Sequence, residues 1–251
     1  MNNSVNWDDF SRWGLLRGVL DPNDAAGTKN LLIDQIQWQA IARKLVPAGK
    51  LLDYGCGTGR FAGRIAGRGL RYSGVDTSQG MIAAAKGYHP HMASSFSVVT
   101  EGPALPFPDK TFDCCLTTMV LQYLIKTPAA DNVLRELWRV LRPGGTVVIV
   151  EQVSKCQRTS GSVANPATEK DYLNLLAPHF KIKRLERIRS SSLGRVASWM
   201  ISHNAADNPL AKRMLSLVAR FERRKIQFAP DTYLHSIDYY DICIKAEKDR
   251  E

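Results

Sequence analysis

The stretch from Lys50 to Ala66, KLLDYGCGTGRFAGRIA, constrains the fold more than any other. Leu51 and Leu52 before Asp53 read as the end of a buried strand, the glycines as a tight turn, and Phe61, Ile65 and the alanines as an apolar helix face. Glycines at 55, 57 and 59 leave the turn without side chains, so a ligand can reach the backbone and meet the amides that open the helix. Asp53 stands just ahead of them, where a cationic group of a ligand can sit.

Spacing separates this loop from two common ones. The dinucleotide fingerprint GxGxxG needs a third glycine at position 60, which is Arg here, and the phosphate loop needs a lysine that is absent. DxGxGxG remains. It resembles the cofactor loop of class I S-adenosylmethionine-dependent methyltransferases, in which Asp53, Gly55, Cys56 and Gly57 would hold the cofactor.

The rest of the chain can be set against that resemblance. RYSGVD reads as a second strand ending at Asp76, and an acid at this place in a doubly wound sheet accepts from both ribose hydroxyls. Thr77 or Ser78 can cap the following helix, whose apolar face is Met81, Ile82 and Ala85. Met81 has two readings, a packing surface for adenine or a core residue. After a third strand, FSVVT, prolines 103, 106 and 108 make a rigid loop leading back to the strand that holds Asp113. That segment, LPFPD followed two residues later by FD, resembles the methyltransferase type 11 group of the class I family. The resemblance places Glu101 and the Gly102 amide on the adenine, although the family more often has Asp than Glu there.

FDCCLTTMVLQYL reads as strand four, ending near Thr117 and Thr118. In the family this end borders the methionine part of the cofactor, which makes Thr117 and Gln122 site candidates and gives Tyr123 weaker support. A strand-end hydroxyl and a helix-surface amide are their structural alternatives. In AADNVLRELWRVLRPGG, Val133, Leu137, Val140 and Leu141 form one helix face, and TVVIVEQV reads as strand five. RVLRPGG before a β-branched run again resembles the family, whose pattern covers about residues 47 to 152 in order.

On the N-terminal side, Trp7, Phe10, Trp13 and Leu16 suggest a helix with a drifting apolar stripe, an arm able to cap a site. DPNDAAG is a turn, and Asn30 to Val46 suggests an amphipathic helix on Leu32, Ile36, Gln39/Ala40 and Leu45, stopped by Pro47. Beyond residue 152, Asn165-Pro166 is expected to open a helix through Leu176, and FKIKRLERI to form a strand. Asn208-Pro209 opens another helix to about Lys225, with Leu210, Met214, Leu217, Val218 and Phe221 inside, and IDYYDICIK is the last strand.

The expected fold is therefore α/β, a doubly wound Rossmann-like seven-stranded sheet with an antiparallel last strand. It carries an N-terminal helical arm (1–46) on a cofactor-binding domain (47–251), with a basic helical insert (190–236). Length and hydrophobic content, 251 residues and 44%, suit one domain with additions. No run of eighteen apolar residues exists, so no membrane insertion is expected, and the start of the chain, with Asp8, Asp9 and Arg12, lacks the apolar segment of a signal peptide, so a cytosolic protein is expected. Five cysteines, at 56, 114, 115, 156 and 243, lack CxxC spacing and indicate neither disulfides nor zinc.

Charge adds a partner class. The net +10 is concentrated between Lys181 and Lys225, where twelve Lys and Arg face three acids. Such a field favours an anionic partner, whether nucleic acid, a phosphorylated metabolite or a membrane surface, and a solvated helix face is the plain alternative. The resemblance implies transfer of the sulfonium methyl of S-adenosylmethionine, by in-line displacement, to a small acceptor, and the basic excess leaves room for an anionic one. O- or N-methylation of a secondary metabolite or glycan is favoured by the similarity of DPNDAAGTKNLLID to bacterial enzymes of that kind. An RNA or protein methyltransferase using the insert stays open, as does a cofactor-binding protein without turnover. His203 and His235 are the nearest candidate bases, and neither is assigned that role.

Overall fold

Leu51 and Leu52, Cys114 to Leu116, and Val147 to Val150 are consecutive apolar residues, a pattern that only a sheet covered on both faces can bury. In the computed structural model, which describes residues 6–100, 104–154, 165–190, 209–230, 232, 234 and 237–250, they lie in such a sheet. Its strands are β1 (Gly49–Tyr54), β2 (Leu70–Asp76), β3 (Phe96–Val98), β4 (Phe112–Thr118), β5 (Leu141–Ser154), β6 (Lys181–Ser190) and β7 (Tyr239–Glu247). The order is β3-β2-β1-β4-β5-β7-β6. The first five strands are parallel, and β7 runs antiparallel to both β5 and β6.

Neighbouring residues on one strand enter different cores. Leu51, Cys114, Leu116, Val148 and Val150 join Leu32, Ile36, Phe61, Ile65 and Ile82 on one face. Leu52, Cys115, Val147 and Ile149 join Leu134, Leu137, Tyr172 and Leu176 on the other. Each such aliphatic side chain contributes about 1.5–3 kcal/mol by leaving water, which is why the sheet centre tolerates no polar alternation.

Among the described residues the helices are α1 (Trp7–Phe10), α2 (Thr28–Ala42), α3 (Ala62–Ala66), α4 (Gln79–Tyr88), α5 (Leu121–Leu124), α6 (Pro128–Val140), α7 (Glu169–Leu176) and α8 (Pro209–Gln227). Several depart from the sequence expectation. The aromatic stripe at the start is not one helix: α1 passes into a 3-10 turn (Ser11–Trp13) that ends at Gly14 with φ +97°. Spacings of three drift around an α-helix, so no single face could have held those aromatics. On α2, Leu32, Ile36 and Ala40 are buried as read, but the helix starts at Thr28 and stops at Ala42. On α6 the buried residue is Leu134 and not Val133, which is half-buried. The cap of α7 is Thr168, paired reciprocally with Asp171 in a capping box, and not Asn165.

The largest correction concerns α8. Met214, Leu217 and Phe221, read as interior, are exposed, whereas Leu215, Ala219, Glu222 and Ile226 are buried. The helix packs on α2 and β6, and polar groups set its seating. Glu222 accepts from the Ser190 amide at 2.9 Å and its hydroxyl at 2.6 Å, and Gln39 Nε2 donates to Ser216 O at 3.1 Å. Most cations of β6 are consumed in ion pairs, Arg189 with Asp241 at 2.7 Å, Arg187 with Glu169 at 2.7 Å and Lys183 with Glu247 at 2.9 Å.

Candidate functional site

The glycine turn leaves β1 beside the end of β2. The amides of Gly55 and Cys56 both donate to Val75 O, at 2.8 and 3.0 Å, which ties the turn to its neighbour. Gly55 and Gly57 have φ of +70° and +53°, a region that costs other residues about 1–2 kcal/mol. Space is also missing: a Cβ on Gly55 would lie 2.3 Å from Val120 Cγ2, and one on Gly57 2.6 Å from Val19 Cγ1.

Two carboxylates flank the turn. Asp53 is buried, accepts from the Tyr72 hydroxyl at 2.9 Å, and is raised to about 7. Burial drives that rise against the Tyr72 hydroxyl and the charge of Arg60, which pull the other way. Arg60 is itself lowered to about 10 by burial. Its guanidinium donates to Gln37 Oε1 at 2.6 Å and lies over the Phe61 ring at 4.1 Å. At the end of β2, Asp76 accepts from the Gly57 amide at 2.8 Å and the Ser78 amide at 3.0 Å, and burial raises it against these amides. Ser78, rather than the exposed Thr77, caps α4 by accepting from the Met81 amide.

The end of β4 forms the opposite wall. Thr117 and Thr118 each carry a buried hydroxyl that no described group pairs with. The chain then turns through Met119, a non-glycine residue at φ +61°, into α5. This turn is held from β5 by Glu151, whose carboxylate accepts from the amides of Val120 (3.0 Å), Leu121 (2.8 Å) and Gln122 (3.0 Å). Complete burial pushes Glu151 up to about 8 against the pull of those amides. Gln122 turns its side chain back to Met119 O at 3.2 Å.

Residues 6–18 lie across these strand ends. Thr58 Oγ1 donates to Leu15 O at 2.7 Å, placing the arm on the glycine turn. Asp8 accepts from the Ser78 hydroxyl and, at 2.8 Å, from the Gly80 amide, which holds its carboxyl below the usual value. The Trp7 ring meets Tyr123 edge-on, with centroids 5.4 Å apart.

Between turn, arm and β4 lies a cavity of about 30 Å³ lined by Val19, Asp53, Gly55, Cys56, Arg60, Phe61 and Thr118. Three residues read from the sequence, Asp53, Gly55 and Cys56, therefore meet there. Gly57 and Asp76 adjoin it through their mutual hydrogen bond. Thr117 sits at the end of β4, its neighbour Thr118 lining the cavity, and Gln122 is on α5 beyond it. Met81 is buried on α4. Glu101, Gly102, His203 and His235 lie outside the described residues.

Sequence reasoning missed Thr118, Arg60, Phe61 and Val19. Strand alternation distinguishes Thr118 from Thr117 only once the facing of β4 is known. Arg60 stands where the dinucleotide glycine would be, and that departure was its one visible signal. No described cluster of His, Cys, Asp or Glu has the arrangement of a metal site.

Comparison with known proteins bears on this geometry. Residues 52–149 match a family described as a methyltransferase domain. A malonyl-acyl-carrier-protein O-methyltransferase of Serratia marcescens is 30% identical over 137 residues, 55% of this chain and 51% of that protein. The chain spans about half the length of the curated relatives it matches. Among solved structures, geranyl diphosphate C-methyltransferase from Streptomyces coelicolor A3(2) superposes with a TM-score of 0.62 over 99% of both chains at 14% identity. The cyclase SpnF superposes with a TM-score of 0.58 over 87% of this chain and 81% of its own at 24% identity. At such identities the structural likeness speaks for the fold alone. The sequence match therefore makes residues 52–149 similar to the methyltransferase domain family, and the solved structures share the fold of the sheet that holds them.

Proposed function

We propose that this protein is an S-adenosylmethionine-dependent methyltransferase that acts on a small-molecule acceptor, a secondary metabolite or glycan methylated on oxygen or nitrogen. The observation that carries this reading is the cavity at the glycine turn, where Asp53, the Gly55–Cys56 backbone and the unpaired Thr118 hydroxyl converge. These groups fit the cofactor. Asp53, buried and raised to about 7, is a carboxylate that a ligand ammonium would return to its ionised form. Asp76 accepts one amide on each oxygen and keeps lone pairs for a pair of ribose hydroxyls. The Thr118 hydroxyl offers a donor and acceptors with no competing partner among the described residues.

Bound cofactor supplies a carbon already activated by a positive sulfur. The chain's own part is then to align the acceptor and exclude water. Val19 and the Leu15 carbonyl lie over the turn, and a cavity of about 30 Å³ holds about one water, so admission of the cofactor moves the arm. Its return closes the site from above, with Asp8 on Ser78 and Gly80 as the fastening.

Titration calorimetry with S-adenosylhomocysteine tests the placement. Asp76→Ala is expected to cost about 1.5–3 kcal/mol of affinity, and an unchanged affinity would remove Asp76 from the site. Transfer needs its own measurement, since the same fold serves a cyclase. Methyl-labelled cofactor, incubated with the protein and a desalted extract supplemented with small metabolites, should leave label that survives nuclease and protease. Label released by either enzyme would overturn the small-molecule reading.

A further inference from the structure

We infer that the outward face of α8 is a docking surface for an anionic phospholipid bilayer. The inference is independent of the proposed methyl transfer and begins with how α8 is seated. Leu215, Ala219 and Ile226 face the core together with Glu222. Met214, Leu217, Phe221 and Phe228, spaced by three, four and seven residues, form a ridge on the opposite side and are 45%, 64%, 69% and 82% exposed.

Charge on that side has one sign. At the helical period, Arg213, Arg220 and Arg224 run along one flank of the ridge, and all three are exposed. Glu222 is the only acid between Pro209 and Phe228, and it is buried against Ser190. Among the described residues of α8 the outward face therefore presents large apolar side chains and arginines, and no carboxylate.

Three kinds of partner make different demands on such a face. A nucleic acid would use the arginines and leave four large apolar groups in water. A second copy would cover the ridge, but would crowd a row of arginines with no acid on either copy's face to meet them. A bilayer with anionic headgroups satisfies both sets at once, because the ridge enters the acyl boundary while the flanking cations remain at the phosphates. Nineteen residues give about 28 Å of helix lying along the surface. Lying there is not spanning: no described helix is long and apolar enough to cross a membrane.

Sedimentation of the whole protein with vesicles of phosphatidylcholine, and of an equimolar phosphatidylcholine and phosphatidylglycerol mixture, tests the inference. Binding to the mixed vesicles alone is expected, weakening as salt rises. Arg220→Gln with Arg224→Gln should weaken it about fivefold per cation removed. Leu217→Ser with Phe221→Ser should weaken it about tenfold or more. These side chains are exposed, so the variants should keep the wild-type melting temperature and affinity for S-adenosylhomocysteine.

Equal binding to both vesicle types, or to neither, would overturn the inference. So would a wild-type dimer in sedimentation velocity that the serine variant converts to monomer without any lipid binding. Retention on single-stranded RNA that survives the serine substitutions but is lost with the glutamines would assign the face to nucleic acid instead.

Discussion

Glu151 is the side chain on which the wall opposite the glycine turn depends. Its carboxylate is fully buried and serves the amides of Val120, Leu121 and Gln122, and Val120 packs against Gly55. Glu151→Ala strands three amides, those of Leu121 and Gln122 buried and that of Val120 partly so. At about 1–3 kcal/mol each, with part recovered by water entering the vacated volume, the expected loss of stability is about 3–6 kcal/mol. Measured above pH 8, where Glu151 is ionised, Glu151→Gln keeps an oxygen for Val120 and Leu121 but turns N–H against the Gln122 amide, so it should cost about 1–3 kcal/mol. Urea unfolding followed by circular dichroism at constant m-value measures both, and S-adenosylhomocysteine affinity should fall in the same order. Equal losses in the two variants, or an alanine loss below about 1 kcal/mol, would refute the idea that hydrogen bonds to Glu151 hold the turn.

Other expectations follow from individual contacts. Thr118→Val removes a buried hydroxyl without a described partner, so thermal unfolding should show stability unchanged or raised by about 1 kcal/mol, with weaker S-adenosylhomocysteine binding. Burial raises Asp53 to about 7, so affinity for the ammonium-bearing ligand should increase as pH rises through that value. Tyr72→Phe removes a donor that holds Asp53 down, and should move this midpoint upward in calorimetric titrations. Asp8 is held below the ordinary 3.8 by Ser78 and Gly80, so its hold on the arm is complete above that pH and is lost as pH falls through the lowered value. Trp7 fluorescence, referenced to a Trp7→Phe variant, should report the release, and Asp8→Asn should shift or abolish it.

The glycine turn, the two acids and most of the strands were legible in the chain because each is set by local rules. Glycine spacing dictates positive φ at Gly55 and Gly57, and apolar runs such as Val147 to Val150 can be buried only in a sheet covered on both faces. The strand ending at Asp76 was legible for the same reason. Boundaries that rest on side-chain competition were not. Thr168 took the cap of α7 because Asp171 could reciprocate, a pairing that Asn165 lacks.

The facing of α8 was decided by tertiary structure. Its sequence offers a continuous ridge, Met214, Leu217 and Phe221, which periodicity assigns to the interior. The folded chain turns that ridge outward, since Glu222 finds the Ser190 amide and hydroxyl, Ser216 finds Gln39, and Leu215, Ala219 and Ile226 fill the space against α2 and β6. The arm over the glycine turn and the pairing of β6 cations with distant carboxylates belong to the same class. Sequence by itself determined what each segment can form, because dihedral preference and periodicity are properties of neighbours along the chain. Which face is buried, and which group finds a partner, depended on residues far away in sequence, and only the assembled sheet brought those together.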